Sequence, residues 1–189
     1  MTGPGVVLPA LVALWLLGGC SAPAGSANGT APERAFAGLW VPSPPEVIAV
    51  MLELADVTPT DVVYDLGSGE GEIVIEAARR YGVRAVGVEL DAERVKNAHE
   101  NAAAAGVAGR VTFIEGDLFD VQIGEATVVT LYLFPALMQR LLPKLLRELR
   151  PGTRIVSHDF GLPEWPPEKT VEVPLDRIRR VHRWTVPRR

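Results

Sequence analysis

The sequence lacks the features that mark several common classes of protein. With one cysteine, Cys20, among its 189 residues, it cannot form a disulfide within the chain. This cysteine and the three histidines show no spacing typical of a metal site, and no serine, histidine and aspartate arrangement indicates nucleophilic catalysis. The net charge is only −4, so the composition gives no reason to expect nucleic acid as the main partner.

The N-terminus carries an apolar run that is short for a membrane span. Val6–Leu17 is interrupted only by Pro9, whereas a transmembrane helix needs about 20 apolar residues. The run ends in Leu-Gly-Gly-Cys, which resembles a bacterial lipobox with Cys20 as the lipidated residue, although no lysine or arginine precedes it. We expect a lipoprotein signal and a membrane-associated protein. An uncleaved anchor and an inert tail stay open, as does the side of the membrane.

The rest of the chain is typical of one folded domain. Apolar residues make up 48% of the chain and charged residues 22%, which excludes disorder for most of it and provides material for a hydrophobic core. We predict a membrane-targeting segment at residues 1–20, a flexible linker at residues 21–37 and a single domain at residues 38–189.

The stretch Asp61–Gly71 is the most informative of the chain. Apolar residues lead to Asp65, three glycines follow on alternate positions, and apolar residues then recur at helical spacing. This order predicts a strand of a parallel sheet, a tight turn and a helix N-terminus, a layout that brings backbone N–H groups against a ligand. Glu89 closes the next apolar run. Two strand-end acids with a glycine turn between them indicate a nucleoside site.

Two kinds of nucleoside compete for this site. A dinucleotide fingerprint requires Gly-x-Gly-x-x-Gly, but the third glycine is misplaced here, at position 71. Asp65 would also repel a pyrophosphate. S-adenosylmethionine suits Asp65 better, because it carries a sulfonium and an ammonium group and no phosphate. We predict this methyl donor as the ligand. A nicotinamide or flavin nucleotide, and a glycine turn that only connects strand to helix, stay open.

Strand and helix patterns alternate along the chain. Such alternation implies a parallel sheet with helices on both faces, so we predict an α/β fold with a doubly wound, mostly parallel sheet and a C-terminal hairpin. Pro143 predicts a kink or a break into two pieces in the helix after the fourth strand. The predicted strands are 61–66, 83–89, 110–115, 126–133, 153–158, 169–174 and 178–186, and the predicted helices are 46–55, 71–81, 91–105 and 135–149.

Several segments together resemble the class I methyltransferases, which have a seven-stranded sheet. Three segments match the first three motifs of that family, and three more resemble the group of ATP synthase c-subunit lysine methyltransferases with its bacterial and archaeal relatives. The resemblance covers about residues 38–165. In that order, the six segments are Asp65–Gly71, Gly87–Asp91, Glu115–Leu118, Trp40–Pro45, Val128–Pro135 and Leu149–Asp159.

The resemblance implies roles for residues at the strand ends. Asp65 and the glycine turn would hold the methionine part of the donor, and Glu89 would accept hydrogen bonds from both ribose hydroxyls. Asp117 would bond the adenine amino group, with Leu118 against the ring. Glu89 as a cap of the next helix and Asp117 as a cap of a turn stay open. The implied donor-binding residues are Asp65, Gly67, Ser68, Gly69, Gly71, Glu89, Asp117 and Leu118.

The acceptor site is less well defined. Tyr132 and Phe134 follow the fourth strand and are expected to form an aromatic wall beside a lysine, since a water-poor site disfavours the charged amine. Packing under the first helix is the alternative for both. His158 ends the fifth strand and is predicted either to touch the acceptor or to be structural. Positions 130–135 lack the Asn/Asp-Pro-Pro-Tyr/Phe element that binds planar amino groups, which disfavours nucleic-acid amino groups as acceptors.

We therefore expect methyl transfer from S-adenosylmethionine to a lysine of a protein, with a membrane protein as one candidate substrate. A small-molecule or lipid methyltransferase, and a tethered module that binds the donor without turnover, are the alternatives. The arginine-rich stretch Arg177–Arg183 is expected to be a solvated basic face of the hairpin. A patch for an acidic partner or anionic lipid is the second interpretation.

Overall fold

The structure, a computed structural model, describes residues 1–3 and 41–188. The predicted lipidation site Cys20, the apolar run before it and the linker lie outside the described residues. No helix within the described ranges is long and apolar enough to cross a bilayer. The chain divides into residues 1–39 and residues 40–189, and every element below belongs to the second part.

Strands and helices alternate in this second part up to its fifth strand, except that a loop joins the third strand to the fourth, and the part then ends in two strands joined by a short turn. Its elements in chain order are α1 (Pro45–Leu54), β1 (Val62–Leu66), α2 (Glu72–Tyr81), β2 (Arg84–Glu89), α3 (Ala92–Ala104), β3 (Val111–Glu115), β4 (Val128–Leu131), α4 (Pro135–Glu148), β5 (Arg154–His158), β6 (Lys169–Pro174) and β7 (Ile178–Thr185).

All seven strands form one sheet in the order β3-β2-β1-β4-β5-β7-β6. The strands β1 to β5 are parallel to one another, whereas β7 runs antiparallel to both β5 and β6. The order reverses where β1 meets β4, and in such sheets ligands bind beyond the carboxyl ends of the strands at that switch point. The predicted α/β fold with a mostly parallel sheet and a terminal hairpin is confirmed.

Helices cover both faces of the sheet because side chains alternate along each strand. Within β1, Val63 belongs to the apolar cluster formed with α1, α2 and α3, and Tyr64 belongs to the cluster formed with α4. Trp184 of β7 is fully buried and extends the second cluster to the hairpin. The central strands are therefore buried on both faces, and the site lies at their carboxyl ends.

Two boundaries near that edge differ from the prediction. The helix α4 runs unbroken through Pro143, so the predicted break into two pieces is wrong; Leu141 and Leu145 hold the helix on the core on either side of the proline. The strand β4 ends at Leu131 rather than at residue 133, because its neighbour β1 ends at Leu66, the residue paired with Leu131. The segment that follows leaves the sheet and carries Tyr132 into the loop before α4.

Candidate active site

Asp65 lies near the end of β1, at the switch point, with only 3% of its surface exposed. The hydroxyl of Thr130 on β4 donates a 2.7 Å hydrogen bond to Asp65 Oδ1. Burial raises the pKa of Asp65 to about 7; the Thr130 hydrogen bond opposes the rise, and the charges of Glu72 and Glu89 add to it. A cation bound here would stabilise the ionised carboxylate, since an opposite charge nearby favours the charged form.

The glycine turn after β1 forms a cradle of backbone. The N–H groups of Gly67 and Ser68 donate to the Val88 carbonyl oxygen on β2, at 2.8 and 2.9 Å. Gly67 has φ +86°, and a Cβ there would lie 2.8 Å from the side chain of Leu133, so only glycine fits. Gly71 is the N-cap of α2 and provides no capping side chain. The first turn of α2 therefore presents N–H groups without a side-chain cap at the mouth of the crevice.

Glu89, at the end of β2, holds this turn from the opposite side. Its Oε2 accepts a 2.9 Å hydrogen bond from the Gly69 N–H, and its Oε1 accepts from the N–H groups of Leu90 and Asp91 at 2.9 and 3.0 Å. A carboxylate has about four acceptor positions, so these bonds leave room for a ligand hydroxyl. The cap of α3 is Asp91, whose side chain accepts from the first turn, so the capping role left open for Glu89 belongs to its neighbour.

The end of β3 is more open to solvent. Asp117 is exposed, and its Oδ1 accepts a 2.9 Å hydrogen bond from the Phe119 N–H, so it does cap a turn. The half-buried Leu118 follows it. Leu90, which the sequence analysis did not single out, is 59% exposed directly after Glu89. Apolar side chains beside acids at neighbouring strand ends form a surface suited to a flat heterocycle.

Ser68 contributes to the turn through its backbone rather than through its hydroxyl. Its Oγ is buried and has no hydrogen-bond partner among the described residues. A Cβ at Gly87 would lie 2.6 Å from this oxygen, so the glycine on β2 makes room for the Ser68 side chain. The hydroxyl therefore packs the turn onto β2.

An aromatic cluster lies across the switch point, at the ends of β4 and β5. The rings of Tyr132 and His158 stack with centroids 3.9 Å apart and planes at 26°, and Phe160 stacks with Tyr132 at 6.2 Å. Phe134 contacts Phe160 at the same centroid distance with tilted planes. Tyr132 itself is only partly buried. These ring contacts join the loop after β4 to β5 and the loop that follows it.

His158 lies behind Tyr132 and is fully buried. Its Nδ1 is 2.9 Å from Ser43 Oγ, and its Nε2 is 3.5 Å from Asp159 Oδ2 without a hydrogen bond to any described residue. Burial lowers the pKa of His158 to about 4; the charge of Asp159 raises it, and the charges of two nearby arginines lower it. The imidazole is therefore neutral at physiological pH.

The arginine-rich strand β7 is largely neutralised by acids beside it. Asp159 accepts 2.6 Å and 3.0 Å hydrogen bonds from the Arg177 side chain and the Arg180 N–H. Arg180 also pairs with Glu172 at 3.1 Å, and Arg179 lies 3.5 Å from Asp159. Most of the positive charge predicted for a basic face is thus engaged within the hairpin and its connection to β5.

Besides Leu90, three contributors were not identified from the sequence. They are the Thr130 hydroxyl that bonds Asp65, the Ser43 hydroxyl that reaches His158, and the Phe160 ring that stacks with Tyr132. Ser43 and Thr130 lie inside segments that carry the family resemblance, but a single hydroxyl has no pattern of its own. Only tertiary contact identifies these residues.

The residues at the ends of β1 and β2 fit S-adenosylmethionine. Burial raises the pKa of the Asp65 carboxyl group, so a positive charge beside it would stabilise the ionised form, and the donor has two positive groups. A side chain at Gly67 would fill the cradle, and Glu89 retains acceptor capacity for a ribose hydroxyl. A pyrophosphate fits poorly, because Glu72 and Glu89 add negative charge around Asp65.

Comparisons with known proteins match the same region. The family described as the ANTKMT methyltransferase domain matches residues 65–169. A protein-lysine N-methyltransferase of Saccharolobus islandicus (strain REY15A) is 47% identical over 135 residues, which cover 71% of this chain and 84% of that protein. The adenine nucleotide translocase lysine N-methyltransferase of Mus musculus is 40% identical over 115 residues, which cover 60% of this chain and 50% of that protein. The chain thus spans about half the length of the mouse relative.

Solved structures of two similar proteins share the fold and contain S-adenosylhomocysteine. An RNA methyltransferase from Salinibacter ruber, in complex with S-adenosylhomocysteine, is 55% identical with a TM-score of 0.76, and the match covers 79% of this chain and 95% of that chain. A SAM-dependent methyltransferase from Thiobacillus denitrificans, also in complex with S-adenosylhomocysteine, is 28% identical with a TM-score of 0.57, and the match covers 67% of this chain and 54% of that chain. These relatives have the donor in common.

Proposed function

The chain belongs to the ANTKMT methyltransferase domain family and is a class I S-adenosylmethionine-dependent methyltransferase, and we propose that its acceptor is the ε-amino group of a lysine in a protein. The resemblance to the ATP synthase c-subunit group is confirmed. The lysine proposal is supported by the Saccharolobus islandicus relative, named a protein-lysine N-methyltransferase, of which the match covers 84%.

The first half of the sheet supplies the donor-binding groups in this proposal. Asp65 offers its carboxylate to the positive groups of the methionine part, with the glycine turn beneath it. Glu89 offers its remaining acceptor capacity to a ribose hydroxyl, beside its three hydrogen bonds from backbone N–H groups and its 3.8 Å ion pair with Arg94. Asp117 and Leu118 lie at the end of the next strand, where the adenine ring would be recognised, and Leu90 adds apolar surface there.

The second half of the sheet supplies the acceptor side. When bound, S-adenosylmethionine supplies a methyl group already activated by its sulfonium, so the chain has to position a nucleophile and exclude water. A lysine must first lose its proton, which costs about 4 to 5 kcal/mol at neutral pH for an unperturbed amine. An apolar, aromatic wall lowers that cost because it disfavours the charged form.

One observation carries the proposal: the Tyr132 stack lies directly beside the donor cradle. The loop after β4 is close to the glycine turn, since a Cβ at Gly67 would lie 2.8 Å from Leu133. On the same strand, Thr130 bonds Asp65. The half-exposed Tyr132 ring between these two contacts is backed by His158 and Phe160, which gives the acceptor side a rigid aromatic wall.

The test is label transfer from methyl-tritiated S-adenosylmethionine, with the full-length protein and a cell extract as acceptor. The radioactivity in the protein, nucleic acid, lipid and small-molecule fractions is counted separately. The variant Asp65→Ala is the control, because label that also appears with this variant does not depend on the donor site. Label that hydrolyses from protein as methyllysine supports the proposal. Label confined to another fraction keeps the enzyme and rejects lysine, and donor binding without label in any fraction favours a binding module.

RNA is the second candidate acceptor, favoured by the description of the Salinibacter ruber relative. Two observations weigh against it. Residues 130–135 lack the element that binds planar amino groups, and the side chains of Arg177 and Arg180 pair with Asp159 and Glu172. Label in RNA that disappears on ribonuclease treatment would reverse this preference.

We also propose that the N-terminal segment tethers the enzyme to a membrane, where a membrane protein is the substrate. This rests on the sequence alone, on the apolar run and the Leu-Gly-Gly-Cys ending at Cys20. Replacement of Cys20 by serine is expected to move the protein from the membrane fraction to the soluble fraction with unchanged specific activity. Retention of Cys20→Ser in membranes would rule out the lipobox.

A further inference from the structure

A buried pair of polar side chains connects the start of the domain to the acceptor side of the crevice. Ser43 immediately precedes the prolines that begin α1, and His158 ends β5, 115 positions later. Their side chains meet at 2.9 Å, and both are buried. Burial of a hydroxyl or an imidazole without a hydrogen bond costs free energy, so each of these two side chains depends on the other for its position in the core.

The surroundings fix the hydrogen-bonding roles of the pair. Hydrogen bonds from Arg177 and from the Arg180 N–H lower the pKa of Asp159, although burial alone would raise it, so this carboxylate is ionised. Its Oδ2 lies 3.5 Å from His158 Nε2 and favours the proton on that nitrogen. Nδ1 is then the acceptor, and the Ser43 hydroxyl donates to it. A single tautomer and a single ring orientation follow from these contacts.

The orientation of His158 determines that of Tyr132. The two rings are stacked at 3.9 Å, with planes 26° apart, so a rotation of the imidazole would displace the tyrosine ring. Ser43 also lines a cleft of about 410 Å³ between the start of α1 and the first turns of α2, next to Glu72. The charge of Glu72 reaches Asp65, which places this cleft at the edge of the donor site.

We propose that Ser43 and His158 act as a positioning pair that holds the Tyr132 ring in place for the acceptor. Ser43 donates to the imidazole, the imidazole supports the ring, and neither residue exchanges a proton with the acceptor. The proposal rests on the proposed function only in that Tyr132 faces the acceptor. It assigns Ser43 a role in turnover and none in donor binding.

The main experiment compares Ser43→Ala with the conservative Ser43→Thr. Donor affinity is measured by calorimetry, and initial rates of label transfer to the protein fraction of a cell extract at varied donor concentration give an apparent kcat and donor KM. We expect Ser43→Ala to reduce kcat about ten- to a hundredfold, since small misplacements of reacting groups have effects of this size, with donor affinity unchanged. Ser43→Thr keeps the hydroxyl and is expected to restore most of kcat. Thr112→Ala, which removes an exposed hydroxyl on β3, is the matched control.

A second pair of variants separates positioning from proton transfer. His158→Phe keeps a flat ring behind Tyr132, whereas His158→Asn keeps a polar group without the ring. We expect His158→Phe to retain more turnover than His158→Asn and to keep the wild-type pH profile between about pH 6 and about pH 9, a range over which the small deprotonated fraction of the acceptor amine rises with pH. A pH profile that changes with His158→Phe would assign His158 to proton transfer and overturn the proposal.

Imidazole ¹⁵N NMR of the full-length protein tests the pair without an acceptor. The chain has three histidines, and His158→Phe identifies the signal of interest. We expect His158 Nε2 to carry the proton and Nδ1 to be unprotonated, and we expect Ser43→Ala to shift the Nδ1 resonance. A proton on His158 Nδ1 would contradict the proposal. In the kinetic experiment, the proposal would be contradicted if Ser43→Ala turned over as fast as wild type, or if Ser43→Thr lost as much kcat as Ser43→Ala. Failure of the wild type to label lysine would count against the proposed function and not against the pair.

Discussion

The carboxyl ends of β1 and β2 and those of β4 and β5 line the same crevice, but different contacts hold their side chains. On the donor side, Glu89 binds three backbone N–H groups, and its partner in the glycine turn, Gly69, is 20 residues away in the chain. On the acceptor side, His158 is held by the Ser43 hydroxyl 115 residues away and by a stacked Tyr132 ring.

This difference follows from what each side has to recognise. A common donor is bound by backbone amides and carboxylates whose positions depend on one strand, one turn and the next strand, so a short stretch of sequence specifies them. An acceptor that differs between relatives is recognised by side chains that come from separate segments, and these can vary one by one. The donor side is therefore expected to respond to substitution in its affinity, and the acceptor side in its turnover.

Asp65→Asn is expected to have the largest effect on the donor side. Asparagine keeps the shape and the Thr130 hydrogen bond but removes the negative charge opposite the cationic donor. Loss of one partner of a buried charge pair is worth about 3 to 5 kcal/mol, so donor affinity should fall at least about a hundredfold. Calorimetric titration with S-adenosylmethionine measures it. An affinity within a fewfold of wild type would show that Asp65 is not the donor carboxylate.

The same variant should be more stable than wild type when no donor is bound. The pKa of Asp65 in the folded protein, about 7, exceeds the ordinary value of 3.8, so wild type loses stability as the pH rises from about 4 to about 7. The full loss is on the order of 4 kcal/mol and is reached above pH 7. Asparagine does not titrate, so its thermal midpoint should exceed that of wild type at pH 8 and come close to it at about pH 4. Equal midpoints at pH 8 would contradict the raised pKa.

Glu89→Gln is expected to have the second largest effect. The amide nitrogen of glutamine cannot accept hydrogen bonds, so at least one backbone N–H of the turn or of the loop before α3 loses its partner. We expect donor affinity to fall about ten- to a hundredfold and the free energy of unfolding to drop by about 1 to 3 kcal/mol. Denaturant titration and calorimetry give the two values. Glu93→Gln, on the exposed first turn of α3, is the control, and equal behaviour of the two variants would remove Glu89 from the site.

The same contrast explains which features the sequence could predict. The strands and helices around Asp65 and Glu89 follow from apolar periodicity and glycine placement. The confirmed donor follows from the acid Asp65 and from Gly71, which does not stand where the dinucleotide fingerprint requires its third glycine. The end of β4 was missed because it depends on the pairing of Leu131 with Leu66. Ser43 and Phe160 were missed because a hydroxyl and a ring gain their roles only from the partners that the fold brings to them.

Tyr132→Ala should affect turnover and leave donor binding intact. Removal of the ring opens the acceptor wall to water and leaves His158 partly exposed, so kcat for label transfer is expected to fall at least about tenfold. Tyr132→Phe preserves the stack and should keep most of the activity. If Tyr132→Ala weakened donor binding as much as turnover, the ring would belong to the donor side, and the division of the crevice proposed above would fail.

The smallest effect is a proton released when the donor binds. Since the pKa of Asp65 is about 7 without a neighbouring cation, the carboxyl group is about half protonated at pH 7, and a bound cation lowers its pKa. Calorimetric titrations at pH 7 in two buffers with different ionisation enthalpies should give binding heats that differ by about half of the difference between those enthalpies, which corresponds to the release of about half a proton per site. Donor affinity should also rise about tenfold from pH 6 to pH 8. S-adenosylhomocysteine keeps the ammonium group but lacks the sulfonium charge. A smaller proton release with S-adenosylhomocysteine would place the sulfonium of the donor near Asp65. An equal proton release would indicate that the ammonium group lowers the pKa of Asp65. Equal binding heats in both buffers for both ligands would show that Asp65 has no cationic partner in the complex.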